Sequence, residues 1–436
     1  MKVIVVGAGQ VGQSIAQELQ HDHDVVVIEQ SPARLESLEQ FDVMALAGNG
    51  ASSKVLQEAN AAETDLVIAC TDRDEVNIIA CAASKHLKAA FTIARVHNPD
   101  YMETWERGQL GVDFMVCSEL LTAEKIAQLI GVPAAHDIHT FADGKILMAE
   151  LPIDEHSPFI EKPIRALELP ANSMIASLIR KGKVIIPRGD DVIQAGDSMV
   201  SFGVPDAVQL LNRRASGRPV PQTVVIIGGG RIGFRLALRL EKQGLRPKMI
   251  EANPQRSQWL AEHLPNTQVF QSSGTDLDFL EQERIGQSEV GVSVMDTDEK
   301  NLLSALLLKN LGVKRVISGV TDTDFIKVFE RVGVDVAVSA RRVIADEIIR
   351  FTKRRVSGIS VIEGERAEVV ESTISTKSSL VGVCLRDSTL PKEAIIGAIV
   401  RRNKVIIPRG EDKLMAGDRV IVFSEKAYVP KVEQLL

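Results

Sequence analysis

Aromatic side chains are scarce in this chain: 2 Trp, 2 Tyr and 13 Phe account for 4% of its 436 residues. Val, Ile, Leu and Ala abound instead, a bias that suits buried parallel strands and packed helices rather than a wet, aromatic recognition surface. Cysteine is equally thin. Cys70, Cys81, Cys117 and Cys384 form no CxxC pair and no metal-ligand spacing, so no metal centre is expected. Cys70 and Cys117 sit in or beside apolar strands, where packing accounts for them, and a reducing cytosol suits such a chain. Basic charge is lacking as well: the formal net charge is −7, which argues against non-specific nucleic-acid binding. No run of about 18 to 20 apolar residues occurs, so no membrane span is expected. No secretory leader is expected either, because the first residues enter a strand directly.

What is present begins at once. The β-branched run Val3 to Val6 leads into Gly7-Ala8-Gly9-Gln10-Val11-Gly12, and Ser14 to Leu19 then read as a helix. Strand, glycine turn and helix in that order make a dinucleotide fingerprint. Gly7 permits the tight turn, Gly9 lets a pyrophosphate approach the backbone, and Gly12 lets helix and strand pack closely. The helix N-terminus offers unpaired N–H groups to phosphate. A second apolar run, Val25 to Ile28, ends on Glu29, placed to accept ribose hydroxyls and to repel a 2′-phosphate. The other reading of Glu29 is a surface residue closing a strand.

The alternation continues. Ser31-Pro32 opens a helix, Phe41 to Ala47 makes a third strand closing at Gly48-Asn49-Gly50, and Leu66 to Cys70 makes a fourth. Asp72 and Glu75 fit a capping box for the next helix. Phe91 to Val96 and Gly111 to Val116 supply strands five and six, and Thr122 to Ile130 a helix. Strands alternating with helices predict right-handed crossovers and a parallel sheet. From His136 to Leu211 the strands shorten and turns multiply, as in Lys183 to Gly189, which reads as a small α+β module.

After the linker-like stretch Arg214 to Pro221, the chain repeats itself. Gly228-Gly229-Gly230-Arg231-Ile232-Gly233 restates the first turn 221 residues on, and Glu251 restates Glu29. Lys404 to Gly410 restates Lys183 to Gly189 at the same interval. A repeat of that length is a duplicated two-domain unit, not a solenoid. The expected class is α/β: two Rossmann-like parallel-sheet domains, each followed by a small α+β module. The expected bounds are 1–132, 136–213, a linker at 214–221, 222–352 and 356–436.

Two glycine fingerprints, each with an acidic residue ending the second strand and each followed by a small module, resemble tandem RCK (KTN) units. These are domains that regulate the conductance of K⁺, a Rossmann-like lobe followed by an RCK-C lobe. The resemblance covers essentially the whole chain. It implies binding of NAD(H) and of ADP or ATP, assembly into a homo-oligomeric, tetrameric ring, and docking on a membrane K⁺ channel subunit of TrkH/TrkG type. It also implies a cytoplasmic protein, peripheral at the inner membrane through that partner, whose work is regulatory and makes or breaks no bond. The competing reading of the same fingerprint is an NAD-dependent oxidoreductase.

Carried over residue by residue, the resemblance places Gly7 to Gly12 at ligand phosphates and Glu29 at ribose. Arg95, near the end of strand five, matches a family arginine that reaches phosphates. An ordinary solvated arginine is the alternative. Thr71 and Asp72 follow strand four, where open α/β sheets bind ligands, although capping explains Asp72 equally well. Asn49 stands where the family usually has Asp near adenosine. In the second half Gly319 replaces Arg95 and Met295 replaces Thr71, so a second site at Gly228 to Gly233 and Glu251 is expected to differ in affinity. The basic stretch Arg341, Arg342, Arg350, Lys353, Arg354 and Arg355 reads as a solvated helix face, or as a contact for acidic partners or lipid. No nucleophile elbow or metal motif is present.

Overall fold

The run Val3 to Val6 lies at the centre of a parallel sheet and is buried on both faces, as a continuous β-branched strand must be. The structure, a computed structural model, describes residues 1–21, 23–142, 144–357, 360–363 and 367–436. In chain order the first lobe comprises β1 (Lys2–Val6), α1 (Gln10–Leu19), β2 (Asp24–Glu29), α2 (Pro32–Glu36), β3 (Met44–Ala47) and α3 (Ser53–Glu58). It continues through β4 (Leu66–Ala69), α4 (Asp74–His86), β5 (Thr92–Val96), α5 (Asp100–Glu106), β6 (Phe114–Cys117) and α6 (Ser118–Gly131). A small module follows: β7 (Asp137–Phe141), β8 (Ile146–Pro152), β9 (Ser173–Arg180), β10 (Lys183–Ile185), β11 (Ser198–Gly203) and α7 (Pro205–Ser216).

The second lobe repeats the first. It runs β12 (Val224–Ile227), α8 (Arg231–Lys242), β13 (Lys248–Glu251), α9 (Pro254–His263), β14 (Gln268–Gln271) and α10 (Leu277–Gln282). Then come β15 (Val290–Ser293), α11 (Asp298–Asn310), β16 (Arg315–Val320), α12 (Ile326–Arg331), β17 (Val336–Ser339) and α13 (Ala340–Ser357). The second module is β18 (Ser360–Glu363), β19 (Ala367–Thr373), β20 (Ala394–Arg401), β21 (Lys404–Ile406), β22 (Arg419–Glu425) and α14 (Val429–Leu435).

These elements gather into two units, Met1–Ile126 with Gln222–Ile349, and Ala127–Pro221 with Arg350–Leu436. The first unit holds two six-stranded sheets, ordered β3-β2-β1-β4-β5-β6 and β14-β13-β12-β15-β16-β17. In both, the order reverses beside the central strand, which opens a crevice at the carboxyl ends of the strands. Register fixes the equivalence of the halves: Val6 lies opposite Ala69, and Ile227 opposite Ser293. Ala69 lies opposite Ala94, and Ser293 opposite Ser318. Arg95 and Gly319 are therefore the same position in two copies.

The second unit holds two five-stranded antiparallel sheets of one topology, β10-β9-β11-β8-β7 and β18-β19-β22-β20-β21. Their inner faces share a core in which Met148, Ala176, Val200 and Phe202 meet Val369, Ala398, Ile421 and Phe423. Gly397 is the reason they approach so closely, since a Cβ there would stand 3.1 Å from the Phe202 ring.

Local details depart from the sequence reading. The Asp72–Glu75 capping box does not form: α4 starts at Asp74 behind Arg73, without a side-chain cap. Its equivalent at Asp296–Glu299 fails too, because Thr297 caps α11 by accepting from the Lys300 amide while Asp296 pairs with Lys300 at 3.1 Å. The physical reason is Asp74 itself. Its buried carboxylate accepts the backbone N–H of His97 at 2.9 and 3.0 Å and that of Asn98 at 2.8 Å, so the helix start is anchored to the exit of β5. The third strand begins at Met44 rather than Phe41, and α6 at Ser118 rather than Thr122. Residues 214–216 of the linker-like stretch complete α7, which stops on left-handed Gly217.

Candidate functional site

The glycine turn sets the site's geometry. Gly7 adopts φ +103°, and a Cβ on Gly12 would stand 1.9 Å from the Gly7 carbonyl oxygen, so both positions require glycine for the fold. Gly9 is different. Its φ of −69° suits any residue, and a Cβ there would meet nothing within 4 Å. Gly9 faces open space at the N-terminus of α1, where backbone N–H groups and the helix dipole favour an anion.

Glu29 is buried beneath this turn rather than exposed. Its Oε2 accepts the Ala8 amide at 2.7 Å, and its Oε1 accepts the Gln30 and Ser31 amides at 2.8 and 2.9 Å. Arg34 stands 3.9 Å away. A carboxylate has about four lone-pair positions, so after three amides Glu29 keeps capacity for one further donor such as a hydroxyl. Glu251 repeats the arrangement, accepting the Gly229 amide at 2.8 Å and the Asn253 amide at 2.7 Å. The acidic residue thus pins the turn in both halves, a role that spacing alone did not reveal.

Within the first unit a cleft of about 600 Å³ opens beside the first turn and is lined from both lobes. Ala8, Gly9, Gln10, Val11, Thr71, Asp72 and Arg95 line it from the first lobe, and Ile232 reaches it from the second glycine turn. Thr71 is positioned by Asn77, whose Oδ1 accepts the Thr71 amide at 2.8 Å and whose Nδ2 donates to the Arg95 carbonyl at 2.9 Å. Asp72 is exposed at the rim. Asn49 is exposed and spends its Oδ1 on the Ala51 amide at 2.9 Å; it is not among the cleft's lining residues. Arg231 is exposed, and Gly230, like Gly9, faces open space.

Arg95 is the unusual group. It is 8% exposed, it makes no ion pair among the described residues, and its Nε has no hydrogen-bond partner. Burial lowers the guanidinium pKa from its ordinary value; Cys70, Glu119 and Asp74 raise it, and the nearby Arg341 charge lowers it further. An arginine nevertheless stays charged in proteins, so the cleft holds a cation with carboxylates nearby but no ion-pair contact among the described residues. Cys70, also on the lining, is buried, and its thiol is pushed up to about 12, so it stays protonated.

Residues outside the sequence expectation complete the lining. His97 and Glu119 face the cleft from the first lobe, His97 Nδ1 lying 3.0 Å from Glu119 Oε1. Arg341, from the first turn of α13, hydrogen-bonds Gln10 Oε1. Among the described members of the basic stretch, Arg341 lines the cleft. Arg342 pairs loosely with Asp346 in the same helix, and Arg350 donates to the Thr140 carbonyl at 2.8 Å. The side chains of Lys353, Arg354 and Arg355 lie outside the described residues. His97 was accessible in principle, since residues two apart at a strand end share a face. Arg341 was not, because no local pattern reports a contact between halves.

The cleft's polar groups suit a nucleotide: an open glycine at a helix N-terminus and a buried guanidinium with no ion pair among the described residues, with the Glu29 carboxylate beneath the turn and outside the cleft's lining. Two Rossmann lobes, each continued by a small antiparallel module, define the class of this protein as a duplicated α/β unit with a dinucleotide-type glycine turn in each copy. The TrkA-N domain model matches residues 3–118 and 224–340, and the TrkA-C domain model residues 148–216 and 369–436. The chain is 39% identical over 438 residues to the Trk system potassium uptake protein TrkA homolog of Archaeoglobus fulgidus, covering 100% of both chains. It is 31% identical over 452 residues to the Trk system potassium uptake protein TrkA of Haemophilus influenzae, covering 100% of this chain and 98% of that one. The chain belongs to the TrkA family. Its fold is also that of the GsuK channel bound to NAD (TM-score 0.64, 20% identity, 100% of this chain and 78% of that one) and of the GsuK RCK domain (TM-score 0.62, 20% identity, 100% and 94%). No helix among the described residues is long and apolar enough to cross a membrane.

Proposed function

We propose that this chain is a nucleotide-sensing regulatory subunit of a K⁺ uptake system, binding NAD(H), ADP or ATP in the cleft of its first unit. The carrying observation is Arg95, a buried guanidinium with no ion pair among the described residues and an unsatisfied Nε, in the cleft that the open face of Gly9 also lines. Gly9, Gln10 and Val11 would meet phosphate, Glu29 ribose, and Thr71 and Asp72 the distal end of the ligand. The second turn, Gly228 to Gly233 with Glu251, is a weaker site, because Gly319 supplies no charge where Arg95 stands. Occupancy is read through Arg341. A cation in the first turn of a helix opposes the helix dipole, so a phosphate near Gln10 draws Arg341 from its bond to that side chain and alters the fit of the two lobes.

The same reading makes the chain a tetrameric ring docked on a TrkH/TrkG-type channel at the cytoplasmic face of the membrane, with functional modules at 1–132, 136–213, 222–352 and 356–436. It acts without catalysis. Co-purification of a K⁺ channel subunit from detergent-solubilised membranes, with and without nucleotide, tests the docking; recovering no channel in either condition removes it. Thermal melting tests the binding. A ligand at 100 times its Kd stabilises by about 2.7 kcal/mol, and saturating NADH, ADP or ATP is expected to raise the melting temperature accordingly. Gly9→Asp isolates the site from the fold. It introduces no backbone strain and puts a favourable capping residue at the start of α1, so unliganded melting holds or rises. The nucleotide shift should nearly vanish, because a carboxylate would occupy the phosphate position.

One observation favours the oxidoreductase reading: the His97–Glu119 pair is the kind of acid/base couple that hydride transfer uses. The second lobe lines the same cleft with the apolar Val294, Met295, Val320 and Val338 beside the polar Asn301, Thr321 and Arg341, and turnover is what separates the two readings. Substrate-dependent NADH turnover by the purified chain would favour that reading, and its absence across 2-oxo acids and aldehydes would count against it.

A further inference from the structure

Nothing in the nucleotide reading uses His97, yet the structure constrains that side chain closely. Its backbone N–H is held by both oxygens of Asp74, which fixes where the residue leaves β5. Its ring is 25% exposed and turned so that Nδ1 lies 3.0 Å from Glu119 Oε1. Ser118 Oγ donates to Glu119 Oε2 at 3.1 Å and lies 3.4 Å from the same ring nitrogen. A carboxylate can only accept, so the hydrogen on Nδ1 is held there. Nε2 has no hydrogen-bond partner among the described residues, and the residue lines the cleft that also holds Arg95.

That tether gives protonation an unusual consequence. With Nδ1–H committed to Glu119, the neutral ring presents a lone pair at Nε2, which repels an anionic oxygen. The imidazolium presents an N–H donor and a positive charge at the same point. One proton therefore converts His97 from a group that rejects an anion into one that binds it.

We propose that His97 is a nucleotide-binding residue of the first site and that it takes up one proton when the ligand's anionic oxygens enter the cleft. The proposal rests on the nucleotide reading above and adds to it a dependence on pH. The charged groups around the ring are balanced for such a switch. Glu119 from α6 and Asp74 from α4 favour the imidazolium, while Arg95 from β5 and Arg341 from α13 oppose it. Cys117 of β6 donates to the His97 carbonyl at 3.6 Å, and burial pushes its thiol up to about 11, so it adds no charge. Asp72 and Arg34 line the same cleft with opposite signs. An entering anion tips this balance by neutralising the two guanidinium groups. Imidazole is the side chain that ordinarily changes charge between about pH 5 and 8. By reciprocity, a ligand that promotes protonation binds more tightly as the pH falls.

The test uses the full-length chain and NAD⁺, whose diester pyrophosphate does not itself titrate over this range. Isothermal titration calorimetry between pH 6.0 and 8.5, in two buffers of different ionisation enthalpy, reads affinity and proton uptake together. The expected result is a Kd lower by about 5-fold or more at pH 6.0 than at pH 8.5, with net proton uptake at intermediate pH. His97→Gln, a neutral donor of similar reach, should flatten the profile and abolish the uptake. His97→Arg should bind tightly at every pH. A native profile that is flat, or a slope that survives in His97→Gln, overturns the proposal while leaving the nucleotide site standing. No NAD⁺ binding at any pH overturns the nucleotide reading and this inference together.

Discussion

Arg95→Met is expected to raise the melting temperature of the ligand-free protein while removing most of its response to nucleotide. The two effects have one cause. In the unliganded cleft, Arg95 is buried, lacks an ion-pair partner among the described residues and leaves Nε unsatisfied. A buried charge without an ion-pair contact costs stability, and even a whole buried ion pair can be replaced by apolar side chains of similar volume with an effect from neutral to about 4 kcal/mol stabilising. For a unit of this size, 1 kcal/mol corresponds to about 2–4 °C. In the liganded state the same guanidinium makes charge-assisted bonds, worth about 1.5–3 kcal/mol. Their loss weakens NADH or ADP about 10- to 150-fold and cancels most of the thermal shift. Differential scanning fluorimetry with and without nucleotide reads both signs in one experiment. A variant that melts lower while keeping its nucleotide shift would mean that Arg95 is structural and would remove the chief support for the site.

This opposition of stability and binding explains why some of the molecule was readable from sequence and some was not. The sheets were legible because Val3 to Val6 and Val224 to Ile227 must be buried on both faces, and because a 221-residue repeat fixes equivalent elements. The glycine turn was legible because Gly7 and Gly12 answer steric demands that no other residue meets. Arg95 could be placed at the site by resemblance, but its lack of a partner is a fact of three dimensions. Of the two readings of Asp72, the cap does not form, because a capping motif is short and Asp74, two residues on, satisfies a more demanding set of buried amides. Glu29 was read as a ribose acceptor or a strand end, although most of its hydrogen-bonding capacity goes to the turn. Glu119 and Arg341 occupy equivalent places at the starts of α6 and α13. Their opposite charges meet in one cleft only because the two lobes are folded against each other within one unit.

The second unit carries the largest expected stability effect. Arg180 forks onto Asp197 with bonds of 2.8 Å from Nε to Oδ1 and 2.8 Å from Nη2 to Oδ2, and Nη2 also donates to the Val192 carbonyl at 2.7 Å. Arg401 and Asp418 repeat this in the second module, with bonds of 2.8 and 2.7 Å. Both carboxylates are almost fully buried, at 1% and 2% exposure. Burial pushes the Asp197 carboxyl up, but the Arg180 bonds and the Gln194 amide outweigh it and hold the group below the usual carboxylate value. A depressed folded-state pKa stabilises the fold above the unfolded value of about 3.9, and that stability is lost as pH falls through the folded value. Arg180→Ala leaves a buried carboxylate without its cation, at a cost of about 3–5 kcal/mol at neutral pH. The melting of this unit should fall by roughly 6–20 °C. The sign of the pH dependence then reverses. Without Arg180 the burial of Asp197 dominates and raises its folded pKa above the unfolded value, so acid relieves the variant while it weakens the native protein, and the gap between the two melting curves narrows as the pH falls toward the unfolded value of about 3.9 and below it. Arg180→Met combined with Asp197→Leu should recover only part of the loss: the apolar pair removes the unpaired charge, but leaves the Gln194 amide and the Val192 carbonyl without their side-chain partners. Melting measured from pH 3.5 to 7.5 distinguishes this from simple loss of packing, which would displace the Arg180→Ala curve equally at every pH.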